Sequence, residues 1–73
     1  MVAMVAVKSS SNVAEYGYDE QEDKLYVRFK DGGWLYQYDP VPPVVWLGLT
    51  LCQSKGRYLK QQVIPYFRCR RVE

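Results

Sequence analysis

The side chains that could carry out catalysis in this sequence are few and poorly placed for it. The 73 residues include no His, which removes the commonest general base, the Ser-His-Asp arrangement and most zinc sites. The run Ser9 to Ser11 has no base near it in the sequence and suits turn or capping chemistry better. Lys55 and Gly56 follow no glycine-rich loop, so they do not form a Walker motif. We therefore expect a protein that is not an enzyme and that holds no cofactor and no metal.

Acidic residues and cysteines form two further groups with possible chemistry. The four acidic residues between Asp19 and Asp23 lack the EF-hand spacing with its closing Glu. A solvated hairpin loop is therefore favoured over a cation site. Cys52 and Cys69 form no CxxC pair, and two free, buried thiols are favoured over a disulfide between them.

The composition is that of a small globular domain, with 48% apolar and 25% charged residues. A chain of this length forms one domain, residues 1–73, and buries only ~60% of the surface that its unfolded form exposes. Its longest charge-free run, from Pro40 to Ser54, is shorter than the ~20 apolar residues that span a bilayer. The N-terminal MVAMVAV lacks the basic region of a signal peptide. We expect a cytoplasmic protein with no membrane partner, whose residues 1–8 form a flexible segment.

Charge is distributed unevenly along the chain. Residues 1–51 carry a net charge of −3 and residues 52–73 a net charge of +5, within the overall +2. Clustered basic residues are typical of a surface that binds an anion, an acidic protein or nucleic acid, although a solvated face has the same composition. The candidate basic patch consists of Lys55, Arg57, Lys60, Arg68, Arg70 and Arg71.

Three segments in the first half of the chain have the pattern of β-strands. Residues 13–19, 24–30 and 34–39 are extended or alternating runs rich in aromatic and β-branched side chains. Asp31 to Gly33 lies between the last two and permits the positive φ angles of a tight hairpin. We therefore predict an antiparallel meander. The bulky side chains expected on its core face are Trp34, Tyr36 and Tyr38.

Prolines mark the change from sheet to helix. Pro40, Pro42 and Pro43 cannot donate to a strand ladder, but proline is tolerated in the first turn of a helix. We predict one helix near residues 43–52 and a second from Ser54, its N-cap, to about residue 62. A final strand over residues 66–72 returns to the sheet. The predicted fold is α+β, in the order β-β-β-α-α-β, with both helices on one sheet face.

The first helix has more apolar side chains than one buried face requires. Val45, Leu49 and Cys52 share a stripe that Trp46 flanks, and this stripe suffices to cover the sheet. A helix without a polar face is either buried on both sides or in contact with a partner, and so short a chain favours the partner. The residues outside the stripe, which form the candidate partner-binding face, are Val44, Leu47 and Leu51.

Several motifs occur in a single order over residues 7–72. They are SSNVAEYGYD from Ser10, LYVRFKDGG from Leu25, YQY from Tyr36, VPP from Val41, SKGRY from Ser54, and Tyr66 before RCRRV. Together they resemble the KTSC domain, which occurs at the C-terminus of some lysyl-tRNA synthetases and as stand-alone bacterial and phage proteins. Members of this family commonly have polar residues where this chain has Val44 and Leu47. The resemblance implies one small α+β domain.

A stand-alone copy of this size is also similar to a type of phage-encoded transcription regulator. That resemblance implies binding to bacterial host RNA polymerase, through a large subunit, by a monomer. It further implies inhibition of transcription from host promoters and read-through of terminators.

A small RNA-binding module is the alternative function. The strand face that carries Tyr26, Arg28 and Lys30 interleaves an aromatic ring with cations, as phosphate pairing and base stacking require. The basic patch could also contact nucleic acid near the polymerase. An RNA-only binder, however, does not account for the apolar helix.

Overall fold

A computed structural model of the chain describes residues 2–8 and 10–73, so Met1 and Ser9 fall outside it. Five strands form one antiparallel sheet in the order β1-β2-β3-β4-β5. They are β1 (Val5–Ala6), β2 (Val13–Asp19), β3 (Lys24–Phe29), β4 (Leu35–Asp39) and β5 (Arg68–Arg71). Helices α1 (Pro43–Leu51) and α2 (Lys55–Tyr58) lie between β4 and β5, and α2 continues as a π-helical segment, Leu59–Val63.

The predicted α+β fold is confirmed, with one additional strand. Val5–Ala6 pairs with β2 and lies within residues 1–8, for which the sequence predicts a flexible segment. The two-residue length of β1 explains why no alternating pattern predicted it. Gly32 and Gly33 have φ angles of 78° and 67° in the β3–β4 turn. This is the left-handed region that glycine adopts at no steric cost.

The helices cover one face of the sheet. Cross-strand pairs place Leu25 opposite Tyr38 and Val27 opposite Tyr36, so these four side chains share that face. Leu49 of α1 is fully buried against them. Burial of this apolar surface is the main source of stability in so small a domain. The buried apolar residues are Val7, Val13, Tyr16, Leu25, Val27, Tyr38, Val41, Leu49, Leu59 and Val63.

The expectation that Trp34 lies in the core is wrong. Trp34 precedes β4 at the end of the hairpin turn, and 40% of its surface is exposed. A Cβ atom on Gly32 would lie 1.9 Å from the indole Nε1, so the ring packs directly on this turn. Tyr38 is buried and Tyr36 half-buried, because they lie further along β4 and face the helices.

A close contact between the helices determines the residue at position 48. A Cβ atom on Gly48 would lie 2.3 Å from the hydroxyl oxygen of Tyr58. That hydroxyl donates a 2.9 Å hydrogen bond to the carbonyl oxygen of Val45, and burial raises the pKa of the Tyr58 phenol. Gly48 therefore allows α2 to pack directly against α1.

We expect Gly48→Ala to destabilise the protein by about 1–3 kcal/mol, because the new methyl group displaces the Tyr58 ring. In a Tyr58→Ala background the same change should instead stabilise by roughly 0.5–1 kcal/mol, the helix propensity difference between the two residues. Urea unfolding of the four proteins of this cycle measures both values. A penalty of equal size in both backgrounds would contradict the packing explanation.

The N-terminal residues cover part of the other sheet face. A Cβ atom on Gly17 would lie 2.6 Å from the sulfur of Met4 and 2.8 Å from the carbonyl oxygen of Ala3. Gly17 thus permits the segment before β1 to cross the sheet at close range. None of the helices over residues 2–8 and 10–73 is long and apolar enough to cross a membrane.

Candidate functional site

Helix α1 presents an uncharged surface to solvent. Val44, Leu47 and Leu51 are 72%, 55% and 76% exposed, as expected for residues outside the core-facing stripe, and we call these three residues the apolar face. The opposite side of the helix packs on the core through Leu49, with Val45, Trp46 and Cys52 beside it. The helix therefore buries one apolar side in the core and leaves a second apolar side in contact with solvent.

Aromatic stacking holds α1 in place on the sheet. The Trp46 ring is stacked on Tyr18, with centroids 5.3 Å apart and planes 9° apart, and it contacts Tyr16 at a centroid distance of 5.4 Å. The Tyr18 hydroxyl lies within hydrogen-bond distance of the Val41 carbonyl oxygen and 3.1 Å from Asp23 Oδ1. Burial, together with the neighbouring Asp23 carboxylate, raises the pKa of Tyr18 to about 12. These contacts join the β2–β3 turn to the start of α1 and fix the orientation of the apolar face.

The first predicted member of the basic patch is used inside the domain. Lys55 Nζ donates hydrogen bonds to the carbonyl oxygens of Leu49, Thr50 and Cys52, at 2.7, 3.1 and 3.0 Å. It also lies 5.7 Å from the centroid of the Tyr16 ring. A cation at the C-terminus of a helix satisfies its free carbonyl groups and complements its dipole. Lys55 is therefore a cap of α1 rather than a surface contact.

The other predicted cations do not form one continuous patch, which corrects the sequence-based expectation. Arg57 and Lys60 are exposed on the helical layer. The pairing of β5 with β4 places Arg68 and Arg70 on the opposite sheet face, next to Asp39 and Gln37. Arg71 lies on the helix side, with its guanidinium carbon 3.7 Å from the centroid of the Trp34 ring. Alternation along β5 thus divides the basic residues between the two faces.

The two cations of the strand face proposed for nucleic acid, Arg28 and Lys30, both have hydrogen-bond partners within the domain. Arg28 forms ion pairs with Glu15 at 2.9 Å and with Glu73, and it donates a 2.7 Å hydrogen bond to the Gly33 carbonyl oxygen. These two carboxylates raise the pKa of Arg28, with Glu73 the larger influence. Lys30 Nζ donates to the carbonyl oxygen of Ser10. The two carboxylates therefore neutralise Arg28, whereas a carbonyl oxygen leaves the charge of the exposed Lys30 in place.

A different group of cations surrounds a cleft on the open sheet face. Lys24 on β3 joins Arg68 and Arg70 there, across from Gln37 and Asp39, in a cleft of about 460 Å³. Among residues 2–8 and 10–73, the ion-pair partner of Lys24 is the exposed Glu22, at a long distance of 3.7 Å. Sequence reasoning missed the role of Lys24, because only the register of β3, β4 and β5 brings it to the arginines. We call Lys24, Arg68 and Arg70 the open-face cations.

A second cleft, which sequence reasoning also missed, lies on the helix side between the β3–β4 hairpin and the end of the π-helical segment. It has a volume of about 500 Å³, and we call it the aromatic cleft. Phe29 meets Tyr36 edge-on, with ring centroids 5.6 Å apart. Burial, and then the neighbouring Cys69 thiol, raises the pKa of Tyr38. The cleft is lined by Ser11, Asn12, Phe29, Asp31, Trp34, Tyr36, Tyr38, Ile64 and Cys69.

The two cysteines are free, but they are not buried as expected. Cys69 is exposed on β5, and Cys52 is half-buried after α1, where its thiol contacts the Leu49 carbonyl oxygen at 3.2 Å. The acidic residues after Asp19 lie in the β2–β3 turn, in which Asp19 Oδ1 accepts hydrogen bonds from the backbone amides of Gln21 and Glu22. Within the described part of the chain, no group of three or more Cys, Asp or Glu residues is arranged to hold a metal ion.

Comparison with known proteins identifies relatives along nearly the whole chain. A model of the KTSC domain matches residues 9–67. A protein of Stutzerimonas stutzeri is 39% identical over 70 residues, which are 94% of this chain and 96% of that protein. A protein of Tsukamurella paurometabola is 42% identical over 59 residues, 81% of this chain and 87% of its own length. The crystal structure of a KTSC domain protein from Yersinia pestis covers 100% of both chains, with a TM-score of 0.92 and 30% identity.

Proposed function

The chain belongs to the KTSC domain family, and we propose that it is a non-enzymatic transcription regulator that binds bacterial RNA polymerase. The observation that carries this proposal is the apolar face of α1. Three aliphatic side chains stand in solvent on a helix whose nine residues include no charged side chain. A contact with another protein is the ordinary reason to keep such a surface exposed.

Burial of the apolar face contributes favourable free energy to a contact with a partner. Full burial of one Leu or Val side chain contributes roughly 1.5–3 kcal/mol. Val44, Leu47 and Leu51 retain most of their surface in the free domain, so a partner can gain most of this energy. The stacked Trp46 and the Lys55 cap keep α1 rigid, which lowers the entropy cost of binding.

The polymerase is proposed as the partner because the regulator type that this chain resembles acts on it. The proposed contact is with a large subunit, made by a monomer in the bacterial cytoplasm. As in a phage regulator of this type, binding would inhibit host promoters and favour read-through of terminators. The relatives from Stutzerimonas, Tsukamurella and Yersinia come from bacteria, in which this polymerase is the transcribing enzyme.

Affinity capture tests the proposal directly. We expect the tagged protein to retain polymerase subunits from a bacterial lysate, both before and after nuclease treatment, because an apolar contact needs no nucleic acid. Purified polymerase should then bind in the absence of any template. Loss of the polymerase after nuclease treatment, or failure of the purified enzyme to bind, would contradict the proposal.

RNA binding is the second candidate, and the open-face cations favour it. Lys24, Arg68 and Arg70 line one cleft, and the ion pair of Lys24 with Glu22 is long. Arg28, by contrast, is held by two carboxylates. If this face binds RNA, affinity should fall steeply with salt through counter-ion release. The polymerase contact through apolar side chains should be much less sensitive to salt.

A further inference from the structure

We propose that the aromatic cleft binds the guanidinium group of an arginine side chain presented by a protein partner. The proposed site shares no residue with the apolar face or with the three open-face cations. It is therefore a second recognition surface, independent of the contact proposed for α1.

Four aromatic rings make the cleft attractive to a cation. Phe29, Trp34, Tyr36 and Tyr38 all line it, and Phe29 and Tyr36 meet edge to face rather than covering each other. A cation placed over an aromatic face is attracted by the negative charge of the π system. The planar guanidinium also stacks on such rings. It is more weakly hydrated than an ammonium group, so the desolvation cost of entering the cleft is smaller for arginine than for lysine.

The charge of the lining points to the same ligand. Asp31 is the only formally charged residue among the residues that line the cleft. Asn12 and Ser11 add neutral oxygen acceptors beside it. A carboxylate beside aromatic rings complements the forked N–H groups of a guanidinium, which form paired hydrogen bonds to carboxylates. A phosphate-bearing ligand would meet Asp31 as a like charge, and the guanidinium of Arg71 is already held over the Trp34 ring.

The domain already contains one such contact. The Arg71 guanidinium lies over the Trp34 ring at 3.7 Å and is not part of the cleft lining. Trp34 nevertheless remains 40% exposed. Among the described residues, no cation lies over the rings of Phe29, Tyr36 or Tyr38. Tyr38 is buried, so a partner arginine would repeat, on the half-buried rings of Phe29 and Tyr36, the geometry that Arg71 adopts on Trp34.

The size of the cleft suits a side chain together with the adjoining peptide. Its volume of about 500 Å³ exceeds that of one guanidinium group. It falls within the ~300–1,000 Å³ that is usual for ligand sites in proteins. The cleft therefore has room for an arginine side chain together with the peptide of a partner segment that carries it.

Titration of the ¹⁵N-labelled protein with a capped Gly-Arg-Gly-Arg-Gly peptide, followed by NMR, tests this proposal. We expect the Trp34 indole N–H and the amides of the β3–β4 hairpin to shift together. Asp31→Asn should weaken binding at least about fivefold, because it removes the carboxylate that faces the cation. Glu20→Gln is the matched control, since it removes the same charge from an exposed turn outside the cleft.

Three outcomes would overturn the proposal. The first is equal weakening by Asp31→Asn and Glu20→Gln, which would indicate general attraction between peptide and protein. The second is equal binding of the corresponding lysine peptide, which would contradict recognition of a guanidinium. The third is a larger shift of the Trp34 indole signal with a short single-stranded RNA than with the arginine peptide, if Asp31→Asn does not change the affinity for that RNA. The cleft would then bind nucleobases.

Discussion

Leu49→Ala should destabilise this protein by about 2–5 kcal/mol, whereas Leu47→Ala should have little effect on its stability. Leu49 is fully buried at the centre of the contact between α1 and the sheet. Its truncation removes buried methyl groups and leaves a cavity. In a domain of this size, each kcal/mol corresponds to a change in Tm of roughly 4–8 °C. The expected decrease is therefore more than about 8 °C, measured by circular dichroism.

Leu47→Ala is the matched control, because it is the same chemical change on the same helix. Leu47 is 55% exposed, so its truncation should change stability by no more than about 0.5 kcal/mol. Leu and Ala also have similar helix propensities, which leaves burial as the difference between the two variants. Equal destabilisation by both substitutions would mean that the outer side of α1 is covered in solution, and the apolar face would not be free for a partner.

Leu47→Glu should weaken binding to purified RNA polymerase by at least about 100-fold, because a carboxylate forced into a dry contact has no counter-ion. Leu51→Glu should have a similar effect, since this side chain is 76% exposed on the same face. Both variants should retain the unfolding midpoint of the unmodified protein to within a few degrees. A titration followed by fluorescence anisotropy measures the affinity.

Gln61→Glu is the control for added negative charge, because Gln61 is exposed on the helical layer and its substitution preserves the size of the side chain. It should leave binding unchanged. Charge reversal at Arg57 or Lys60 should slow association and alter its salt dependence, as is typical of residues at the rim of an interface. Lys55 is left out of this series, because reversal of its charge would remove the hydrogen bonds that cap the C-terminus of α1.

If the Leu47→Glu variant binds polymerase normally, the apolar face is not part of the interface. If charge reversal at Arg68 and Arg70 then abolished RNA binding, the RNA-binding function would replace the polymerase proposal. The two substitution sets lie on opposite sides of the sheet, so their effects can be separated.

Much of the fold could be predicted from the sequence, because strands and helices are encoded in short repeating patterns. The alternation over residues 24–30 indicated β3, and the glycines at positions 32 and 33 indicated the hairpin, which needs positive φ angles. The prolines before Val44 indicated the start of α1. The exposure of the apolar face also followed from the sequence, since one helical stripe was enough to cover the sheet.

The candidate sites depended on contacts between residues that are distant in the chain. Arg28 is paired with Glu73, 45 residues away, so its charge is not free. Trp34 packs against Arg71 rather than against the helices. Lys24 lines the same cleft as Arg68 and Arg70 of β5. A local pattern predicts which face of a strand a side chain occupies, but not which strand lies beside it.

The amino-acid sequence by itself determined strands β2 to β5, helix α1, the helix-covered sheet and the apolar face, because each follows from the local period of apolar residues and from backbone limits on proline and glycine. Only the tertiary structure decided that Lys55 caps α1, that the basic residues divide between two faces, and that four aromatic rings line one cleft. These features arise from sheet register and helix placement, which bring together side chains that no sequence spacing relates.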